Sequence, residues 1–118
     1  MVMIGSRQRS QPAPPWAIFD DLCDPNRQPS RPWLLLLDEE IAPAVLESDR
    51  SRHVVWSSLW LKRPDARLHF DLVPADRGTE LRWTLYVDEP VPDASLTGHM
   101  RKRIGELINA NLRYTYGS

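Results

Sequence analysis

The clearest pattern along the chain is an alternation of apolar and polar positions over residues 66–73 and 79–88. Such alternation predicts two β-strands, each with one covered face and one face in water. The Asp76-Arg77-Gly78 stretch between them predicts a tight hairpin connection. Because the connections between the predicted strands are too short to hold crossover helices, we expect the sheet to be antiparallel.

Three further strands are predicted at residues 33–37, 44–47 and 53–61. The first and third of these are apolar on both faces, so something besides the sheet's own core must cover them. Either the first helix or a second subunit would do so. If the helix does not reach these strands, we expect a two-fold homodimer. The candidate contacts are Leu34, Leu36, Val55 and Leu59.

Two helices are predicted, one before the strands and one after them. The first is short, starts at Pro14 or Pro15, and ends before Pro25. Its apolar side carries Trp16, Phe19, Leu22 and Cys23. The second is long and begins after Asp93, which is a good N-cap residue. Its apolar stripe comprises Leu96, Met100, Ile104, Leu107 and Ile108, with Asn111 near the centre and the basic run 101–103 outside it.

Residues 1–12 are polar after Ile4, which predicts a flexible N-terminal tail before a single domain over residues 13–118. The net charge of -1 gives the chain no general attraction to nucleic acid or to membranes. No apolar run approaches the length of a membrane-spanning helix, and no secretory signal is evident. A single cysteine, Cys23, excludes an internal disulfide and favours a cytoplasmic location.

Three stretches carry a family resemblance: "PPWAIFDDLCDPNRQPSRPW", "FDLVPADRGTELRWTLYVDE" and "ASLTGHMRKRIGELINANLRYTYG". They resemble the opening segment, the penultimate hairpin and the C-terminal helix of the START-like helix-grip proteins, also called the SRPBCC or polyketide cyclase/dehydratase superfamily. The resemblance implies an α+β helix-grip fold, an antiparallel β-sheet wrapped around a long C-terminal helix with an apolar cavity between them. Members of the superfamily bind lipids, sterols, polyketides or hormones, and some catalyse cyclisation or dehydration.

Two departures from this pattern bear on the cavity. The family opens with a strand before the first helix, whereas residues 1–11 of this chain make a poor strand. The middle of the chain is also short, which implies a smaller cavity or one completed by a partner subunit.

We therefore expect the chain to bind a small apolar ligand, lipid- or polyketide-like, between the sheet and the C-terminal helix. The candidate ligand-binding residues are Trp56, Trp60, Phe70, Trp83, Met100, Ile104 and Asn111. The tryptophans also suit a plain core, and Asn111 also suits a structural amide bonded to a backbone or indole group. Two alternatives stay open: a cyclase/dehydratase-type enzyme, and a filled-core protein that acts as a dimer.

No catalytic constellation is visible in the sequence. His69 and Asp71 fall on the predicted solvent face, and neither His53 nor His99 combines a cavity position with an orienting partner. The sequence therefore predicts no catalytic residue and no cofactor. Without a Cys/His cluster it also predicts no metal site. The basic run 101–103 is too narrow for a nucleic-acid surface and is expected to be solvated.

Overall fold

The computed structural model of the chain describes residues 1–25 and 32–117. Its strands are β1 (Val2–Gln11), β2 (Val45–Asp49), β3 (His53–Trp56), β4 (Arg67–Ala75) and β5 (Gly78–Val87). Its helices are α1 (Pro15–Cys23) and α2 (Ala94–Ile104), and α2 continues as a π-helical segment (Gly105–Leu112). Within the described residues the strands form one antiparallel sheet in the order β1-β5-β4-β3-β2. The predicted α+β class and antiparallel sheet are confirmed.

The alternating runs bury the faces that their pattern predicts. Leu68, Phe70 and Leu72 on β4 are buried, as are Leu81, Trp83, Leu85 and Val87 on β5. These side chains form one continuous core with the buried residues of α1, α2 and the π-helical segment. The helices therefore lie on the face of the sheet that the alternation marks as apolar.

A tight connection of two residues, Asp76 and Arg77, joins β4 to β5, as predicted. Gly78 ends this turn with φ of 143°, a backbone conformation that side chains rarely adopt. A Cβ atom at this position would also overlap the carbonyl oxygen of Gln11. Glycine is therefore needed here for two reasons, the turn and the close approach of β1.

The prediction of a flexible tail over residues 1–12 is wrong, because β1 pairs with β5 along its whole length. Arg7 is opposite Trp83, Arg9 is opposite Leu81, and paired residues of antiparallel strands share a face. The helix-facing positions of β1 thus carry arginine rather than apolar side chains. The strand lacks the expected alternation because this part of its inner face borders an open space instead of the core.

The predicted strand over residues 33–37 is also wrong, since this segment is irregular. Trp33 is buried and stacks on Trp56 with ring centroids 6.0 Å apart, but Leu35 and Leu37 are 54% and 42% exposed. The backbone of this segment is hydrogen-bonded to side chains instead of to a neighbouring strand. Arg103 donates to the Leu35 carbonyl at 2.8 Å, and the Leu37 N–H donates to a Glu40 carboxylate oxygen at 2.9 Å.

The predicted strand over residues 53–61 is regular only as far as Trp56. Val55 and Leu59, two of the four proposed dimer contacts, are 3% and 1% exposed within the chain itself. They therefore offer no free surface to a second subunit. The first helix begins at Pro15 as predicted, but it buries Ile18, Phe19 and Leu22, while Trp16 is exposed rather than on the apolar side.

The C-terminal helix starts as predicted, with the Leu96 N–H donating to Asp93 Oδ1 at 2.8 Å. Met100, Ile104, Leu107 and Ile108 are fully buried. Leu112, rather than Asn111, continues the buried stripe, and Asn111 is half-buried. The difference follows from the π-helical segment, whose i→i+5 hydrogen bonds place more residues in each turn than an α-helix does.

Candidate ligand-binding trough

An open trough runs between β1 and the C-terminal helix, with Trp83 of β5 at its base. Its volume is about 840 Å³, which is within the range of small-molecule sites in proteins. One wall is formed by residues of β1, among them Arg7 and Arg9. The other wall is formed by residues between Gly98 and Arg113 of the C-terminal helix.

Small residues on the helix create this space. Gly98, Gly105 and Ala110 line the trough, and a Cβ atom added to either glycine would meet no other atom within 4 Å. At one end the helix and β1 are in close contact, because a Cβ atom at Gly5 would be 2.9 Å from Cγ of Arg101. The two elements therefore touch at Gly5 and leave an open space beyond it.

The base of the trough contains buried polar atoms that lack partners. Trp83 is 2% exposed, and its indole N–H makes no hydrogen bond within the described part of the chain. The same is true of Asn109 Oδ1, a lining residue on the opposite wall. Buried polar groups are nearly always paired, with protein or with ordered water, because an unpaired one costs about 1–3 kcal/mol. Both atoms are thus buried without a partner among the described residues at the lining of the trough, and either would gain a hydrogen bond if a ligand reached it.

Positive charge predominates around the trough. Its lining contains five cationic side chains: Arg7, Arg9, Arg101, Lys102 and Arg113. The one carboxylate among the lining residues is that of Glu106, which accepts a hydrogen bond from Arg103 at 2.8 Å. The trough is therefore cationic in a chain whose net charge is -1.

A buried ion pair lies behind the helix wall of the trough. Arg103 donates to both carboxylate oxygens of Glu40, at 2.9 and 2.8 Å, and its side chain is 7% exposed while that of Glu40 is 0% exposed. Burial opposes ionisation of Glu40, but the hydrogen bonds from Arg103 and from the Leu37 N–H hold its pKa below the ordinary value. The hydrogen bonds to Glu40 raise the pKa of Arg103.

From the sequence, Arg103 was predicted to lie outside the apolar stripe, and its ion pair with Glu40 was not predicted. A signal was present, since Met100, Arg103 and Leu107 follow the i, i+3, i+7 spacing of one helix face. A charged residue at such a position predicts a buried partner of opposite charge. The local sequence does not identify that partner, because Glu40 lies 63 residues from Arg103.

The structure brings four of the predicted ligand-binding residues together in the closed core. Trp56, Phe70, Met100 and Ile104 are all fully buried. The Trp56 indole N–H donates to the Leu22 carbonyl at 2.8 Å, and its ring meets Phe70 edge-on at 4.7 Å. These contacts are those of core packing, and none of the four residues lines the trough.

The other three predicted residues lie in three different places. Trp83 is at the base of the trough. Trp60 lines a separate hollow of about 310 Å³ together with Leu96 and His99. Asn111 does not line the trough, whereas Asn109 does. Asn109 lines the trough in place of the predicted Asn111 because the π-helical segment changes which side chains face the sheet.

A row of titratable side chains crosses the outer face of the sheet, away from the trough. His53, which sequence reasoning left without a partner, has Nδ1 2.8 Å from Asp71 Oδ1. Its ring is 5.4 Å from that of His69, which meets the Tyr86 ring at 4.7 Å. Burial, reinforced by the neighbouring His53, lowers the pKa of His69. Within residues 1–25 and 32–117 no cluster of three or more histidine, cysteine or carboxylate side chains is arranged to hold a metal ion.

The helices of the described part of the chain fall short of the length and apolarity needed to cross a membrane. No family model and no curated protein matches the sequence.

Solved structures, in contrast, are clearly similar to this one. CalU16 from Micromonospora echinospora superposes with a TM-score of 0.69 at 17% identity, covering 95% of this chain and 73% of that one. Protein SSP2350 from Staphylococcus saprophyticus gives 0.68 at 10% identity, covering 98% and 92%. An Aha1 dimer from Colwellia psychrerythraea gives 0.67 at 13% identity, covering 96% and 94%. The chain therefore has the helix-grip fold, and the predicted START-like architecture is confirmed.

Proposed function

We propose that this protein binds a small lipid- or polyketide-like molecule in the trough between β1 and the C-terminal helix. The observation that carries the proposal is Trp83, a buried indole at the base of the trough with an N–H that lacks a partner among the described residues. Because the residue is only 2% exposed, its contribution to a ligand site is the N–H, which would donate a hydrogen bond to a ligand acceptor that reached the base of the trough. Asn109 Oδ1 adds an acceptor on the opposite wall.

The fully buried core supports this site from behind. Phe70 is the cross-strand partner of Trp83, so the two side chains lie next to each other on the same face of the sheet. Since Phe70 also meets the Trp56 ring edge-on, the Trp83 side chain lies beside a packed aromatic pair of the core. In this proposal Trp83 and Asn109 contact the ligand, while Trp56, Phe70, Met100 and Ile104 hold the walls in place.

An enzymatic role finds less support in the trough. The lining residues include no histidine or cysteine, and their one carboxylate, Glu106, is already bonded to Arg103, which leaves the amine of Lys102 without an acid–base partner in the lining. General acid–base chemistry needs a titratable group free to reach the substrate. Ligand binding requires only the shape and the polar groups that the trough provides.

The glycines of the helix wall allow a direct test. Gly105→Leu places a side chain in the trough at a helical position with φ of -57°, so the helix is expected to gain about 1 kcal/mol in stability. Ser95→Leu is the matched control, because it adds the same side chain to an exposed position of α2 outside the trough. The probe is N-phenyl-1-naphthylamine, an uncharged apolar fluorophore.

We expect the wild type and Ser95→Leu to bind the probe with equal affinity, and Gly105→Leu to bind it at least about tenfold more weakly, a loss of roughly 1.4 kcal/mol. Melting temperatures of both variants should equal or exceed that of the wild type. Undiminished binding by a folded Gly105→Leu would show that the trough is not the ligand site.

A further inference from the structure

We infer that the ligand carries an anionic group, a carboxylate, phosphate or sulfonate, and that the arginine and lysine side chains around the trough bind it. This inference rests on the proposed function, since it concerns the chemistry of a ligand in the same trough. The residues that carry it are Arg7 and Arg9 on the strand wall and Arg101 and Lys102 on the helix wall.

Positive charge is concentrated in the trough. The chain as a whole is slightly acidic, yet the trough collects five cationic side chains around one carboxylate. Like charges converging on one hollow repel one another, and that repulsion falls when an anion enters. A merely solvated surface would distribute cations among carboxylates instead of gathering them on two facing walls.

The cations of the trough also lack anionic partners in the protein. In the part of the chain that the structure describes, Arg7, Arg9, Arg101 and Lys102 make no ion pair. Exposed cations elsewhere among the described residues, such as Arg77 and Arg82, are also without an ion pair, so the distinguishing feature is that four unpaired cations line one hollow. Glu106, the one carboxylate of the lining, can offset at most one of the five positive charges, and its Oε2 already accepts from Arg103 at 2.8 Å. The trough thus offers donors without a matching acceptor from the protein.

Arg7 lies next to Trp83 in the sheet. The two residues are cross-strand partners, so the Arg7 side chain leaves the sheet beside the buried indole. An anionic oxygen near this point would accept from both the guanidinium and the partnerless indole N–H. Charge-assisted hydrogen bonds of this kind are the stronger ones in proteins.

A simpler reading is that arginines on β1 protect an edge strand from pairing with other chains, as charged side chains often do. That role would need only the strand. It does not account for Arg101, Lys102 and Arg113, which face the same hollow from the helix.

The experiment compares two probes with the same ring system. The first is 1-anilinonaphthalene-8-sulfonate, and the second is N-phenyl-1-naphthylamine, which lacks the sulfonate. We expect the wild type to bind the anionic probe at least about tenfold more tightly at low salt, and this preference to shrink as added salt screens the charges. The double variant Arg9→Gln/Lys102→Gln should lose most of the preference and keep its affinity for the neutral probe. Arg52→Gln, which removes an exposed arginine of the β2–β3 hairpin, should keep the preference.

The outcomes separate the inference from the proposed function. If the neutral probe binds in the trough and the sulfonate gives no advantage, the anionic group is wrong and ligand binding stands. If the double variant retains the full preference, the trough cations are not its source and the inference is overturned. If neither probe binds, the proposed function fails and the inference fails with it. Sodium phosphate added as a competitor at constant ionic strength identifies the source of the anion. Displacement of the sulfonate supports a site for a free anion, and the absence of displacement supports the headgroup of an amphipathic molecule.

Discussion

Replacing Arg103 by methionine is expected to destabilise the protein severely. Arg103→Met removes four hydrogen bonds, two to Glu40 and one each to Leu35 and Glu106. The Glu40 carboxylate would stay buried with only the Leu37 N–H as a partner. Because the side chains of the pair are 7% and 0% exposed, solvent does little to screen the charge that is left.

The magnitude follows from the burial of that charge. Removing one partner of a buried ion pair typically costs about 3–5 kcal/mol. For a domain of this size each kcal/mol corresponds to roughly 4 °C in melting temperature, so we expect a fall of roughly 12–20 °C. The double variant Glu40→Leu/Arg103→Met leaves no buried charge, and it should recover to within about 2 kcal/mol of the wild type. Urea unfolding followed by tryptophan fluorescence measures the free energy of unfolding of both variants, and thermal melts measure the change in melting temperature.

The same pair has a pH signature with a definite sign. The pKa of Glu40 is lower in the folded protein than its ordinary value, so the pair stabilises the fold above the ordinary glutamate range. This stability is lost as pH falls through the folded pKa. The difference in free energy of unfolding between the wild type and Glu40→Leu/Arg103→Met should therefore shrink as the pH becomes acidic. A cost of less than about 1 kcal/mol for Arg103→Met, or a double variant as unstable as the single one, would show that the unpaired Glu40 carboxylate is not the cause of the destabilisation.

Three smaller predictions test other parts of the structure. Asp93→Ala removes the side-chain cap of α2 and should cost about 1 kcal/mol in urea unfolding, while Asp93→Asn should cost less. Hydrogen bonds from Arg63 lower the pKa of Asp65 to about 2, so the stability difference between the wild type and Asp65→Asn, clear at neutral pH, should vanish as pH falls toward 2. Asn111→Leu lies outside the trough and should leave the affinity for N-phenyl-1-naphthylamine unchanged, and a tenfold loss in a folded variant would place Asn111 in the site.

The sequence predicts most reliably the elements whose signals are local. The β4–β5 hairpin follows from strict alternation and a turn glycine, and the start of α2 follows from one capping aspartate. Each of these depends on residues that are close together in the chain. The helix-grip architecture follows from the order of such elements together with the family resemblance.

Features that depend on residues far apart in the chain were not predicted from the sequence. Strand β1 lacks alternation because its inner face borders the trough, and the irregular segment from Trp33 to Leu37 depends on Arg103, which is remote in sequence. The π-helical segment shifts the buried stripe from Asn111 to Leu112, and an apolar pattern alone does not distinguish the two registers. For the trough itself, the sequence indicated Trp83 but treated the basic run 101–103 as a solvated flank.

Strand β1 is at the edge of the described sheet, so β5 is the one strand to which its backbone is hydrogen-bonded. Gln11 and Arg113 fasten its C-terminal end to the helix, through Gln11 Nε2 to the Ile108 carbonyl and Arg113 Nε to the Ser10 carbonyl. Opening this strand breaks its ladder with β5 but moves few large apolar side chains, so we expect it to open before the central strands do. Its amides should exchange with solvent deuterium before those of β4 and β5. Movement of this wall about its fastened C-terminal end would widen the trough without disturbing the packing of the aromatic core.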